Sequence, residues 1–448
     1  MHIGALLVFD GHAPRFTDVL NHIRERLHLA PRYRQRLVSL PANSSRPVWI
    51  DDTGFNLDYH VRHAALPKPG GKTQLLEFAA RALSAPLDRN RPLWELWLIE
   101  GLRSGEDHKT KNFAVLSKTH HAMLDGVAGV DLATALLDLS PQTASVDTSQ
   151  LAAWRPHPEP GLVELAVTEA CGAGRTALRT AARASTLITA SGSRPATLRE
   201  TADGMFELAR AAFDPAPKTP LNVPIGPNRR LAVLTHELPD YKLIKNRYGT
   251  TVNDVVLSVV AGALGTWMCA RGMETEGLTL RALVPVSVRT GDRYGSLGNQ
   301  LSLVRGPLPV GIGEPVTRLQ IVRASMDRIK ASRQTAGAAA IVALNDLAPP
   351  ALLALTSRLQ FSTRLFNLIV TNVPGPAKPL YLLGNRMSGM FPLPFLPDGH
   401  ALAVAVMSYA GMIHYGLLAD YDALPDLPVI SAAIDTELSA LQAAAKWS

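Results

Sequence analysis

Short alternating apolar runs and longer helical periods mix along the first 140 residues. Phe113-Ala114-Val115-Leu116-Ser117 reads as a strand, and Lys72 to Leu83 and Val127 to Leu139 read as helices, so residues 1–140 are expected to form an α/β domain. From Pro141 the pattern changes. Pro and Ser clusters bracket Ala-rich segments at Gly161 to Ala170 and Arg175 to Ile188, which predicts a helical connector over 141–228. A second α/β domain, 229–448, opens with a strand through Leu231 to Leu238 and a helix starting at Thr251-Val252-Asn253-Asp254. A strand at Leu278 to Val288, a helix at Glu314 to Ser332 and a strand at Asn367 to Asn372 follow. Apolar alternation over Ala401 to Leu418 predicts a hairpin, and Leu427 to Ala445 a closing helix. No short tandem repeat is present, and two halves of similar size and mixed content are compatible with a duplication.

At 448 residues, two domains of roughly 200 residues each are expected. A content of 47% hydrophobic and 19% charged residues, without a polar low-complexity tract, fits a folded globular chain. Cys171 and Cys269 are too few for a disulfide framework or a zinc site, which points to a reducing cytosol. No transmembrane helix is expected. Leu257 to Ala270 is too short, Ala338 to Leu359 holds Asn345, Asp346, Pro349 and Pro350, and Ala401 to Leu418 carries Ser408 and His414. Met1 to Leu7 is not a signal peptide. A charge of +7 and a pI near 9.5 favour anionic partners: CoA phosphates, acidic lipid headgroups or nucleic acid. Nucleic acid is disfavoured because the basic residues are dispersed and no aromatic-basic RNA-binding block occurs. P-loop and dinucleotide fingerprints are missing as well.

The chemistry concentrates at His120-His121-Ala122-Met123-Leu124-Asp125-Gly126, where a β-type run ends in two histidines and Asp-Gly precedes a helix. Successive strand side chains point to opposite faces, so His120 and His121 cannot easily serve one centre. Gly126 supplies a flexible turn, and Asp125 can fold back to orient the backbone or a nearby cation. A neutral imidazole, with an ordinary pKa of about 6.5, can take a proton from a hydroxyl that attacks an acyl carbon. A purely structural histidine pair is the bland reading. A metal site is weaker, because the histidines diverge and His-Glu-x-x-His is absent. The general base is favoured.

His-His-x-x-x-Asp-Gly resembles the signature of the CoA-dependent acyltransferase superfamily. Pro92-Leu93-Trp94, Asn253-Asp254, Pro285-Val286-Ser287-Val288-Arg289, Gly298-Asn299 and Asn372-Val373-Pro374-Gly375-Pro376 are similar, in the same order, to the blocks of the bacterial wax ester synthase/diacylglycerol acyltransferase family. The resemblance implies an α/β (α+β) fold of two chloramphenicol-acetyltransferase-like domains with an active-site tunnel at their interface. It implies His121 as general base, beside His120 and Gly126, with Asp125 holding the loop by pairing with an arginine, for which Arg289 is the candidate. It also implies a short Ser/Asp/Phe-rich segment ahead of Met1, absent from this sequence.

The expected reaction is transfer of a long-chain acyl group from acyl-CoA to diacylglycerol or a fatty alcohol, giving triacylglycerol or wax ester, with no metal or other cofactor. Rival readings are a relative using a carrier-protein thioester or a polyketide or sugar hydroxyl, and a non-catalytic lipid-binding protein. Asn253 and Asp254 read equally as a helix capping box and as active-site support. Asn372 belongs to a rigid loop that shapes the tunnel wall or crosses to the first domain, and Pro92-Leu93-Trp94 to core packing. Arg175, Arg179 and Arg183 form one helical stripe, a solvated face or a contact with anionic lipid. The expected location is the cytoplasm, peripheral on the inner membrane face or on lipid droplets.

Overall fold

The computed structural model describes residues 1–38, 47–105, 110–123, 136–142, 154–161, 164, 215–287, 301–331 and 361–447. In chain order the first half comprises β1 (His2–Asp10), α1 (Phe16–Arg26), β2 (Gln35–Val38), β3 (Val48–Asp51), α2 (Leu57–His60), β4 (Val61–Ala65), α3 (Lys72–Ser84), β5 (Trp94–Ser104) and β6 (Thr110–His120). The second half comprises β7 (Arg229–Glu237), α4 (Leu238–Tyr248), α5 (Val252–Ala270), β8 (Leu280–Ser287), β9 (Leu301–Leu308), α6 (Pro315–Ala331) and β10 (Leu368–Pro374). It continues with β11 (Tyr381–Leu382), β12 (Asn385–Leu393), β13 (Leu402–Tyr409), β14 (Met412–Asp420) and α7 (Leu427–Trp447).

Two six-stranded sheets carry the fold, in the orders β11-β12-β1-β6-β5-β4 and β7-β14-β13-β10-β8-β9. The same motif occurs in both. β1, β6, β5 and β4 pair antiparallel, antiparallel and parallel, as do β7, β14, β13 and β10. A helix follows the first strand in each, α1 after β1 and α4 after β7. The crossover into the parallel partner differs. Between β4 and β5 it is α3, whereas between β10 and β13 the chain leaves its own sheet and pairs β12 with β1. The boundary expected at 229 therefore does not separate the sheets, since residues 381–393 of the second half complete the first one.

Period-two alternation sorts the side chains into layers. On β6, Phe113 and Val115 join one core with Phe9 and the α1 residues Val19 and Ile23. Ala114 and Leu116 face the other way, into a core shared by Leu75 and Leu83 of α3 and by Leu231, Ala403 and Leu418 of the second sheet. This middle layer binds the two halves. Gly416 permits their close approach: a Cβ there would meet the Pro392 carbonyl oxygen at 1.8 Å.

The third core surrounds α5, an almost continuously apolar helix. Among the described residues it is the one helix long and apolar enough to cross a membrane, yet 78% of that span is buried against α4, α6, α7 and the sheet. Its start is the expected capping box. Thr251 Oγ1 accepts from the Asp254 N–H at 3.2 Å, and Asp254 Oδ2 accepts from the Thr251 N–H at 2.9 Å.

Two expectations change. Of the helix read over Val127 to Leu139, residues 127–135 lie outside the described residues and 136–139 are not helical, because Asp138 bridges to Tyr381 and pairs with buried Arg26 at 3.1 Å. The strand expected over Asn367 to Asn372 runs on through Pro374, opposite Ser408. On its other side β10 pairs with β8 at Leu368 and Ile369, so the N–H that Pro374 lacks is not needed there. Most of the connector 141–228, including Arg175, Arg179 and Arg183, lies outside the described residues; of what is described, Glu164 is helical and 154–161 and 215–228 are not.

Candidate active site

β6 delivers both histidines. Its even-numbered residues face the middle layer, so Lys118 and His120 follow Leu116 onto that side. Gly4 of β1 lies opposite Lys118, where a Cβ would meet the Ser117 carbonyl oxygen at 2.2 Å, so only glycine allows this pairing near the end of β6. Lys118 is fully buried and donates to the Ala82 and Ala85 carbonyls at 2.8 and 2.6 Å, closing the C-terminus of α3 with a cation, and lies 3.5 Å from Glu95 Oε2. Burial lowers its pKa from the ordinary lysine value.

His120 closes the strand. Its N–H donates to the Leu93 carbonyl at 2.9 Å, and its Nδ1 accepts from the Ala122 N–H at 3.2 Å, which leaves Nε2 to carry the proton of the neutral ring. That bond folds the chain into a 3-10 turn over His121–Met123. Burial pushes the pKa of His120 down to about 4, and the same holds for His2, whose ring lies 6.1 Å away. His120 is thus a turn-forming acceptor.

His121 is the first residue of that turn. Its N–H donates to the Met1 carbonyl at 3.0 Å, and its ring meets Phe395 edge to face at 5.4 Å. Phe395, just past β12, is backed by Phe361 at 5.8 Å. The His121 side chain is accessible, while the protein around it lowers its pKa below the ordinary value by desolvation. The ring is therefore neutral at pH 7 and free to accept a proton.

Leu93 and Trp94 serve this end of β6 from behind. Trp94 is buried, donates to the Tyr33 carbonyl at 2.8 Å and stacks on His60 at 4.6 Å, which is core packing. Asp254 is a buried cap. Asn253 is half-buried at the start of α5, and Asn372 is half-buried on β10 opposite Val406. Among the described contacts none of these three touches His121. Asp125, Gly126, Arg289, Gly298 and Asn299 lie outside the described residues. Lys118, His2 and Phe395 were not anticipated. A lysine inside the apolar run of β6 was a visible signal for the first, whereas Phe395 meets His121 only through the pairing of β12 with β1. Among the described residues no three His, Cys, Asp or Glu side chains converge as a metal site.

The wax ester synthase/diacylglycerol acyltransferase catalytic domain matches residues 1–256, and the C-terminal domain of the same family matches residues 297–442. The chain belongs to this family. Two probable diacylglycerol O-acyltransferases of Mycobacterium tuberculosis are each 32% identical over 99% of this chain, covering 92% and 95% of their own lengths. The solved wax ester synthase/diacylglycerol acyltransferase from Marinobacter aquaeolei VT8 is 27% identical with a TM-score of 0.65, over 100% of this chain and 95% of its own. The starter condensation domain of rhizomide synthetase, at 13% identity and a TM-score of 0.55 over 99% of this chain and 89% of its own, shares the fold. The expected α/β fold of two sheet domains is that of the family.

Proposed function

We propose that this acyltransferase moves a long-chain acyl group from acyl-CoA to diacylglycerol or a fatty alcohol, with His121 as general base. The observation that carries this is the accessible, neutral His121 ring at the end of β6, at the boundary of the two sheets. His121 takes the proton of the acceptor hydroxyl as its oxygen attacks the thioester carbonyl. The tetrahedral intermediate expels CoA thiolate, and the imidazolium returns the proton to sulfur. A thioester is already activated, so no acyl-enzyme is required.

Around this base, His120 holds the turn through Ala122. Asp125 and Gly126 are assigned the loop that follows, Asp125 pairing with Arg289. Asn253 and Asn372 are assigned support of the developing charge or of the loops around it. The acceptor partitions into lipid, so we place the enzyme in the cytoplasm at a membrane or lipid-droplet surface, needing no cofactor beyond its co-substrate.

Thiol release from palmitoyl-CoA, followed with diacylglycerol, hexadecanol or no acceptor, tests the reading. Release should depend on an acceptor and fall by about 10²–10⁴-fold in His121→Ala. Release that survives this substitution unchanged would move the chemistry to another residue.

A further inference from the structure

A cavity of about 560 Å³ lies between the C-terminal half of α3 and the β4–β5 edge of the first sheet, a volume that suits a small-molecule ligand. Tyr59, Arg62, Phe78, Arg81 and Trp97 line it, with Glu95 and Asp88 on its acidic side. The Arg62 guanidinium lies over the Tyr59 ring at 5.2 Å and the Trp97 ring at 5.0 Å, and Phe78 meets Trp97 edge to face at 5.3 Å. Aromatic faces and a guanidinium plane together make a platform on which any nucleobase can stack. The buried indole N–H of Trp97 has no acceptor among the described residues.

The acidic residues do not repel an anion here. Glu95 is taken on one oxygen by Arg62 at 3.0 Å and on the other faces Lys118 at 3.5 Å, while Asp88 faces Arg91 at 3.4 Å. Two cations remain uncommitted. Arg81 on α3 and Arg89 on the following loop are exposed, and neither has an acidic partner among the described residues. Arg89 lies near enough to His120 for its charge to help depress that pKa, after burial and the charge of the chain's first amino group.

The loop over residues 85–92 leads from the cavity to the catalytic strand. Ala85, Pro86, Leu87 and Asp88 line the cavity, and Leu93, just beyond Arg89, receives the His120 N–H. Buried Lys118 holds the Ala82 and Ala85 carbonyls behind this stretch.

We propose that the cavity seats the nucleotide of the acyl-CoA donor, with its base on Arg62, Phe78 and Trp97 and its phosphates on Arg81 and Arg89. The pantetheine arm then follows the loop to His121. This assignment rests on the acyl-CoA reading of the active site. Arginine suits the role because its forked donors match phosphate oxygens.

The test compares palmitoyl-CoA with palmitoyl-pantetheine, which lacks the nucleotide, using one acceptor and the whole chain. In Arg81→Glu and in Arg89→Glu, the KM for palmitoyl-CoA should rise about tenfold relative to that for palmitoyl-pantetheine. Equal changes for both donors, or none for either, would overturn the assignment. Both residues are exposed, so folding is retained. Adenosine 3′,5′-bisphosphate should quench tryptophan fluorescence in the unsubstituted protein and do so about tenfold more weakly in Arg81→Glu. Failure to bind it, or binding displaced by inorganic phosphate at equal concentration, counts against a nucleotide seat. Because this readout needs no turnover, it judges the cavity even if the acyltransferase reading fails on His121→Ala.

Discussion

β6 and β14 occupy the same place in their sheets, and they end in opposite ways. β14 ends at Asp420, which is 2% exposed. Its Oδ2 accepts from the Gly226 N–H at 2.8 Å and lies 3.7 Å from Arg229, while Oδ1 accepts from the N–H groups of Asp422 and Ala423 at 3.1 and 2.9 Å. β6 ends at His120, which accepts one N–H and leaves the next side chain, His121, accessible beside an apolar ring. A carboxylate can satisfy several donors at once and locks its turn, whereas an imidazole satisfies one and leaves the neighbouring position for chemistry. The crossovers differ in the same sense. α3 adds no strand to the other sheet, while the β10–β13 crossover lends β11 and β12 to the first sheet and so sets Phe395 against His121.

Four substitutions or measurements probe this contrast. The largest effect is expected at the contact that lends the hairpin. In Gly416→Ala the new Cβ would have to displace the Pro392 backbone, costing more than about 3 kcal/mol and reducing recovery of folded protein. Near-normal thermal stability in this variant would show that the sheets can slide apart without loss. Asp420→Ala comes next, because it orphans three backbone donors and removes the carboxylate that faces Arg229; a loss of about 3 kcal/mol in urea unfolding is expected, with activity per folded molecule retained. A stable but inactive Asp420→Ala protein would mean that the second strand end shares in the chemistry.

His120→Ala should show the converse, with little change in stability and about a tenfold fall in kcat, because the Ala122 N–H loses its acceptor and the His121 turn loosens. His120→Asn, whose side-chain oxygen can stand in for Nδ1, should recover much of that loss. Equal damage from Ala and Asn would reject the acceptor role.

How much of this was legible in the sequence follows from which contacts are local. β6, the capping box at Thr251 and Asp254, and the β13–β14 hairpin are written in neighbouring residues, through period-two alternation, an N-cap spacing and a short turn. Nothing local assigns residues 381–393 to β1 rather than to their own sheet, because strand pattern encodes a face and not a partner. Phe395 beside His121 and the close pass at Gly416 inherit that blindness. The non-helical course of residues 136–142 is likewise a tertiary result, set by Arg26 and Tyr381 against a favourable helical pattern. At the site, the histidine pair could be read directly. The division of labour between its members needed the hydrogen bond from Ala122 and the ring contact to Phe395.

The smallest effect is on pH dependence, and it bears on the environment that the lent crossover creates. Burial lowers the pKa of His121, so the folded enzyme takes up this proton at a lower pH than a free imidazole would. Activity that needs the neutral ring is therefore retained on acidification through about pH 6.5 and is lost only as pH falls through the lower folded value. The acid limb of kcat/KM should thus lie below pH 6.5. Phe395→Ser would admit water beside the ring and move the limb upward toward 6.5, by less than about one unit. His414, 1% exposed and also lowered to about 4 by burial, imposes a separate limit with the same sign. Its folded form binds the proton less readily than its unfolded form, so stability declines as pH falls from about 6.5 toward 4, by on the order of 3 kcal/mol in all. Stability and rate must be read separately for that reason. A limb that stays fixed in Phe395→Ser while the protein remains folded would show that the apolar contact does not set the basicity of His121.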